Sequence, residues 1–315
     1  MSNTIAPVLI PTMSRFNKLR RCINSIRKSG LAKKTDLFLA IDFPAKQEHI
    51  RGFQKINNYA NSVTGFKSVT ILKRKENFGA FLNFQSAIDH IFHHFENCIV
   101  LEDDNEVSKD FLNYMNAGLE FSKQNKDIFA VCGYMYPCIL DKISHDFFLY
   151  DGFSAWGFGV WKKKYYNLNL EIKEVEAFLK EPHNKKKITS KHLLANWKHG
   201  IRRGYIGFDS MVCFHQLRTS TFSVFPKITR VNNKGFDGSG VHCEKDSIIS
   251  SELDKQKIFQ GTADYSNLKS IKRNNEAKKI IDNYLTKFIW YRKYLRNPSL
   301  VFRKVYEIIR LKLDS

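Results

Sequence analysis

The stretch Cys98-Ile99-Val100-Leu101-Glu102-Asp103-Asp104 decides how the chain is read: an apolar run passes directly into three consecutive acids. A short apolar run bounded by polar residues reads as a strand buried on both faces. Three carboxylates in succession repel one another and raise each other's pKa values unless something positive lies among them. A divalent cation held by carboxylate, water and phosphate oxygens removes that conflict, and a diphosphate is its usual partner. An acidic helix N-terminus is the plain alternative, because the helix dipole also welcomes Asp and Glu.

Outward from this stretch the first third alternates strand and helix signals. Ala6 to Pro11, Leu37 to Ile41 and Ser68 to Leu72 are further strand candidates, the second ending in Asp42. Between them Leu19, Cys22, Ile23 and Ile26 fall at helical spacing before Gly30, as do Phe84, Ile88, Ile91, Phe92 and Phe95. Ser108 stands where it would cap a helix with Phe111, Leu112 and Met115 on its inner face. Such alternation predicts an α/β fold, with a mostly parallel sheet covered on both faces. Ligands of such sheets bind beyond the carboxyl ends of the strands. Asp42 and the acidic triplet both lie at ends of that kind.

The middle of the chain differs. Phe153 to Val160 is too rich in glycine for a plain strand or helix, and the segment around Lys185-Lys186-Lys187 reads as an exposed loop. Ser223 to Phe225 and Thr229 to Asn232 resemble short strands leading into a turn-rich run from Asn233 to Gly240. Beyond about residue 265 the chain is basic and helical in propensity. The simplest division is one catalytic domain with a C-terminal helical appendage.

Composition narrows the function classes. A hydrophobic fraction of 43% and an aromatic fraction of 14% exclude a disordered chain. Six scattered cysteines with no CxxC spacing argue against a disulfide scaffold or zinc site and for a reducing compartment. No run approaches the roughly 18 apolar residues of a membrane span. Met1 to Thr4 lack the basic and apolar regions of a secretory signal, so a cytoplasmic protein is expected. The net charge of +20 favours polyanionic partners: nucleotide diphosphates, nucleic acid, or an anionic membrane face. From Thr286 to Ser315 basic, aromatic and aliphatic residues mix around Pro298. That pattern suits either a peripheral helix pair on anionic lipid or a helix packed on the catalytic domain.

Several motifs then fall in a familiar order. Val8-Leu-Ile-Pro-Thr-Met-Ser-Arg15, Asp42, Asn77-Phe-Gly79 and Ile99 to Asp104 resemble the nucleotide-binding half of GT-A glycosyltransferases. Leu101-Glu-Asp-Asp104 followed by Val107-Ser-Lys-Asp-Phe111 is similar to N-acetylglucosaminyltransferase I and its bacterial relatives, and the resemblance extends over residues 6–243. It implies a Rossmann-like GT-A catalytic domain over 1–264 and a basic helical appendage over 265–315. The nucleotide-sugar half would run to about residue 133, and the acceptor half from about 134 to 264.

By the same resemblance Asp104 ligates Mn²⁺ or Mg²⁺, and Glu102 and Asp103 contact the sugar or ribose. Arg15 and Asp42 hold the base and its ribose, with Asn77 and Gly79 in the same nucleotide-sugar set. A solvated arginine at a helix start is the other reading of Arg15. Asp209, in Arg203-Gly-Tyr-Ile-Gly-Phe-Asp-Ser210, matches the catalytic base, although Ser210 stands where N-acetylglucosaminyltransferase I has a second acid. The alternative for Asp209 is a helix cap. Trp156 would stack on a sugar or fill the core. Gly238, Ser239 and His242 belong either to a loop closing on the diphosphate or to a surface turn.

The implied activity is metal-dependent, inverting transfer of a hexosyl or N-acetylhexosaminyl group. The donor is a nucleoside-diphosphate sugar, with UDP favoured, and the acceptor is a hydroxyl of a glycan or lipid-linked molecule. Bacterial surface-polysaccharide assembly is the expected setting, without a nucleic-acid partner. A sugar nucleotidyltransferase would share sheet and metal, but usually carries a Gly-rich turn after the first strand, where this chain has Pro11 to Arg15 without glycine. A nucleic-acid-binding protein would account for the charge, yet no recognised module is present and the acidic triplet would be misplaced.

Overall fold

The structure is a computed structural model and describes residues 5–169, 171–235 and 256–294, with the backbone alone over 288–294. Its first half repeats one unit. Strand β1 (Val8–Thr12) leads to helix α1 (Phe16–Arg27), β2 (Asp36–Ile41) to α2 (Gln47–Ala60), and β3 (Ser68–Lys73) to α3 (Gly79–Phe92). β4 (Asn97–Val100) then gives way to the acidic turn, the short β5 (Asn105–Val107) and α4 (Phe111–Ser122). Next come β6 (Ile128–Cys132), β7 (Phe147–Tyr150) and β8 (Phe158–Trp161), then α5 (Lys162–Tyr165), α6 (Ile172–Lys180) and α7 (Pro182–Lys185). The described chain closes with α8 (Lys191–Arg203), α9 (Phe208–Thr219), β9 (Phe222–Pro226), β10 (Val231–Asn233) and α10 (Asn275–Tyr294).

Eight strands form one sheet in the order β3-β2-β1-β4-β8-β6-β9-β7. From β3 to β4 every pairing is parallel, as the βα alternation predicts. Beyond β4 the sheet is mixed: β8 runs antiparallel to both β4 and β6, β9 is parallel to β6, and β7 is antiparallel to β9. The Gly/aromatic stretch therefore departs from expectation, because its second half is a central strand. Gly159 fits there because a Cβ would stand 3.1–3.2 Å from Met115 and Leu119, so α4 lies directly on that strand.

Strand periodicity sorts the apolar residues into two cores. Val8, Ile10, Leu37, Leu39, Ile41 and Ile99 face α1, α2 and α4. Leu9, Phe38, Ala40, Cys98 and Val100 face α3 and the helices of the second half. The start of the C-terminal helix shares the latter core: Ala277, Ile281, Tyr284 and Leu285 are buried, at the spacing of one helix face. Residues 295–315, with Pro298 and most of the stretch compared above with a membrane-surface helix, lie outside the described residues. Among the described residues no helix is long and apolar enough to cross a membrane.

Two local expectations change. Ser108 does not cap α4 through its side chain; its carbonyl accepts from Phe111 N at 3.1 Å and its hydroxyl has no partner. Asp110 occupies the N-cap position instead, without a capping side-chain bond. Lys185, expected in a loop, ends the short α7.

One contact joins this architecture to the turn after β1. Gly52, in the middle of α2, faces Ser14 so closely that a Cβ would stand 2.0 Å from the Ser14 carbonyl oxygen. Alanine inside a helix normally gains up to about 1 kcal/mol over glycine. Here the clash reverses the sign: Gly52→Ala is expected to lower stability by about 1–3 kcal/mol in urea titration. Gly30→Ala, at an exposed position with nothing within 4 Å, should leave the midpoint almost unchanged.

Candidate active site

The acidic turn forms because β4 is hydrogen-bonded through Leu101 N to Leu9 O, and the chain then folds back on Asn105. Asn105 is wholly buried; its N–H donates to Glu102 O at 3.1 Å, while its side-chain oxygen accepts from Glu102 N at 3.1 Å. Its amide also donates to Asp104 Oδ1 at 3.1 Å. Asn105 was not among the sequence candidates, although an asparagine directly after an acidic run is a turn signal.

The carboxylates do not face water alone. Asp103 and Asp104 are each 3% exposed. Thr12, at the end of β1, donates its hydroxyl to Asp103 Oδ2 at 2.8 Å. Arg15 places its guanidinium on both acids, Nη1 at 2.6 Å from Asp104 Oδ2 and Nη2 on Asp103 Oδ1. Burial pulls the Arg15 pKa down, but Asp103 and Asp104 outweigh it and hold the guanidinium more firmly protonated than usual. Burial likewise raises Asp103, with Arg15 opposing. Glu102 is pushed up to about 8, by burial first and then by Asp104, with Arg15 opposing and Asp103 and Asp209 adding.

The second side of the turn is closed by β10. It pairs antiparallel with β5, Asn233 opposite Asn105, and carries Lys234 and Gly235 over Asp104. Lys234 N donates to Asp104 O at 2.9 Å, and Lys18 of α1 donates to Lys234 O. A Cβ on Gly235 would lie 2.2 Å from Asp104 Oδ2, so only glycine allows the backbone to pass so near the carboxylate. Gly238, Ser239 and His242, a few residues on, lie outside the described residues.

Asp42 stands at the parallel end of β2 and is 4% exposed. Its Oδ1 accepts from Phe43 N at 2.9 Å and Phe78 N at 2.8 Å, and its Oδ2 from the Asn77 amide at 3.2 Å. The Asn77 amide also donates to Phe43 O at 2.6 Å. Asp42 and Asn77 thus clamp the loop that enters α3 at Gly79, whose φ is +75°. In this arrangement both carboxylate oxygens of Asp42 already accept protein hydrogen bonds.

Asp209 lies in the first turn of α9, exposed, with Oδ1 accepting from Ser210 N at 2.8 Å. Trp197 of α8, wholly buried, donates to Ser210 O at 2.9 Å and fixes that turn. The charge of Asp209 adds, as the smallest contribution, to the rise at Glu102, so the downstream acid is within electrostatic reach of the triplet. Trp156 is half-buried and meets Tyr134 edge to face at 4.7 Å.

Among the described residues no three His, Cys, Asp or Glu side chains form a ready-made metal cage. A hard, oxygen-preferring cation nevertheless suits the donor chemistry here. With Arg15 in place, burial first and Asp104 second still raise Glu102, so a further positive charge would be favourable beside the three acids. The protein offers carboxylates, and water or a ligand's oxygens would complete the set.

Known proteins can be set beside this geometry. Residues 1–155 match the GNT-I family. The matched segment holds Arg15, Asp42, Asn77, Gly79 and the acidic triplet, and bears out the resemblance read from Leu101 to Asp104; Trp156 and Asp209 lie beyond it. No curated protein matches the chain. Among solved structures, the mannosyltransferase PcManGT from Pyrobaculum calidifontis, in complex with GDP-Man and Mn²⁺, is similar over 50% of this chain and 45% of its own, at 12% identity and a TM-score of 0.37. S. aureus TarS 1–349 in complex with UDP-GlcNAc is similar over 44% and 37%, at 15% identity and a TM-score of 0.32. A further S. aureus TarS structure is similar over 41% of this chain and 21% of its own, at 14% identity and a TM-score of 0.31. This chain thus spans less than half the length of each, and the likenesses are distant.

The Glu102 environment sets a pH dependence of stability. A carboxyl that titrates near 4.5 when unfolded and at about 8 when folded favours the folded state most below the lower value. That contribution is lost as pH rises through the higher one. In metal-free buffer, wild-type stability should therefore fall across this window, and Glu102→Gln, which cannot ionise, should fall less. Parallel slopes for the two proteins in urea titrations at several pH values would contradict this reading of the cluster.

Proposed function

We propose that the chain is a metal-dependent, inverting glycosyltransferase that moves a sugar from a nucleoside diphosphate to an acceptor hydroxyl. The observation that carries this reading is the presence of two kinds of carboxylate within electrostatic reach of each other. Buried Asp103 and Asp104, with half-buried Glu102 before them, lie at the carboxyl end of a parallel strand, and the charge of exposed Asp209 adds to the rise at Glu102. A binding module needs no such separation of a charge-dense donor site from a solvent-facing base. The match of residues 1–155 to the GNT-I family supports the same reading, and a uridine-linked donor is the one to test first.

Each described residue then has a task. Asp104 would hold Mn²⁺ or Mg²⁺, with Asp103 beside it toward the sugar or ribose; a cation bound there would neutralise charge on the departing diphosphate. Arg15 keeps the two buried acids neutralised while the site is empty, and its guanidinium can exchange carboxylate for phosphate oxygens when the donor enters. Glu102 faces the sugar and ribose. Asp42 and Asn77 act on the nucleotide through the loop they clamp. Asp209 takes the proton from the acceptor hydroxyl as its oxygen bonds to the anomeric carbon. The bond from that carbon to the diphosphate breaks on the opposite face, and configuration inverts.

The donor site thus belongs to residues 1–133 and the acceptor side to 134–264, with 265–315 as a basic extension. The proposed setting is surface-polysaccharide assembly at the cytoplasmic face of a bacterial membrane.

Two variants test the assignment. Asp104→Ala should abolish turnover and weaken donor binding when Mn²⁺ is present but have little effect without it; equal calorimetric affinities in saturating Mn²⁺ would remove Asp104 from the metal site. Asp209→Asn keeps the shape but cannot accept a proton. It should retain donor affinity while transfer falls by about 10²-fold or more. Transfer at the wild-type rate would exclude Asp209 as base.

A further inference from the structure

The second half of the chain carries a charge pattern that the transfer chemistry does not use. Residues 162–203 hold twelve Lys/Arg against four Asp/Glu, so much of the net charge is concentrated in this short segment. Helices α6, α7 and α8 bring part of it to one concavity of about 490 Å³. Lys180, Lys185, Lys198 and Arg202 rim it, all exposed, and its floor includes Leu179 and Ile201. The acid in the lining, Glu176, is 3.4 Å from Lys180 and answers that lysine alone. Among the described residues no carboxylate pairs with Lys185, Lys198 or Arg202.

Like charges gathered round a concave surface repel one another and raise the local concentration of anions. Ammonium and guanidinium groups together suit phosphate, the first as a point charge and the second as a planar fork. The groove also stands on the element that places the base. Ser190 caps α8 by accepting from Leu193 N at 3.4 Å, and Trp197 anchors the helix to Ser210 O. Lys198 and Arg202 follow on that helix, just before the turn to Asp209.

We propose that this groove is a subsite for phosphate groups on the acceptor glycan, an inference that rests on the transferase reading above. A neutral glycan has no use for four cations. A phosphate-bearing one would lie along the open groove while a hydroxyl further along the same chain reaches Asp209.

The test uses the full chain and inorganic polyphosphate as the probe, titrated by calorimetry at low and at high salt. The triple variant Lys185→Ser, Lys198→Ser, Arg202→Ser should bind about tenfold or more weakly. Lys33→Ser, Lys34→Ser, Lys46→Ser removes equal charge from exposed positions of the nucleotide half and should stay within about twofold of wild type. Equal losses in the two triples would overturn the subsite in favour of a general charge effect.

Co-sedimentation with phosphatidylglycerol vesicles separates the sources of phosphate. Weakened polyphosphate binding with unchanged vesicle binding supports a glycan phosphate. Loss of both supports a lipid-linked acceptor. Release from vesicles with unchanged polyphosphate affinity overturns the proposal. Donor hydrolysis is read on the same samples. If wild type hydrolyses no nucleotide sugar, the transferase reading fails whatever the groove binds. If hydrolysis persists in every variant and the titrations do not differ, the groove alone fails.

Discussion

The ion pair of Arg15 with Asp103 and Asp104 is the contact on which the donor side of the molecule depends. Two buried carboxylates side by side are costly without a counter-charge, and truncating one partner of such a pair commonly costs several kcal/mol. The guanidinium comes from the turn after β1, while the carboxylates end β4, so the pair also pins two neighbouring parallel strands at their functional ends. Thr12 repeats the same link one turn earlier. The fold brings these groups together by strand pairing alone, and the electrostatics then fix which way they point.

Rigid supports stand behind that pair on several sides. Gly52 lets α2 press on Ser14, which sets where Arg15 begins. Ser25 of α1 accepts from Val107 N at 2.9 Å and holds β5. Lys18, two turns earlier on the same helix, reaches the backbone of Lys234 beyond β10. Helix α1 therefore touches the acidic turn from its start and from its end, and a shift of that helix would move both. On the nucleotide side, the Asp42 clamp plays the corresponding part for the entrance of α3.

Much of this was legible because hydrophobic periodicity is a strong signal. The parallel strands β1 to β4, and helices α1 and α3, follow directly from runs and spacings in the sequence. The acids at strand ends were visible for the same reason. What could not be read is which groups satisfy one another. Asp42 is as acidic in sequence as Asp104, yet its oxygens accept from the neutral donors of Asn77, Phe43 and Phe78, whereas Asp104 divides its own between the Asn105 amide and the Arg15 guanidinium. Asn105 folds the turn through bonds that no spacing reveals. The Gly/aromatic stretch misled because glycine weakens the strand signal, while here it makes room for α4. Ser108 misled because a cap is defined by backbone geometry, and the helix starts later.

The reversal of strand direction beside the acidic turn has a consequence for how such a molecule can diversify. Phe158, at the start of β8, is paired with Val100 on one side and Cys132 on the other. The chain therefore leaves the centre of the sheet after Cys132, adds β7 at its far edge, and returns to the centre at Phe158 beside the ends of β4 and β6. Residues 133–157 thus form two loops on either side of β7, and their outer ends meet where Gly133 N donates to Gly157 O at 2.7 Å. Residues can be added to or removed from these loops without changing the register of β1 to β4. Lineages sharing the donor machinery would then be free to explore new acceptors by editing this one detour, much as a tool keeps its handle while the bit is exchanged.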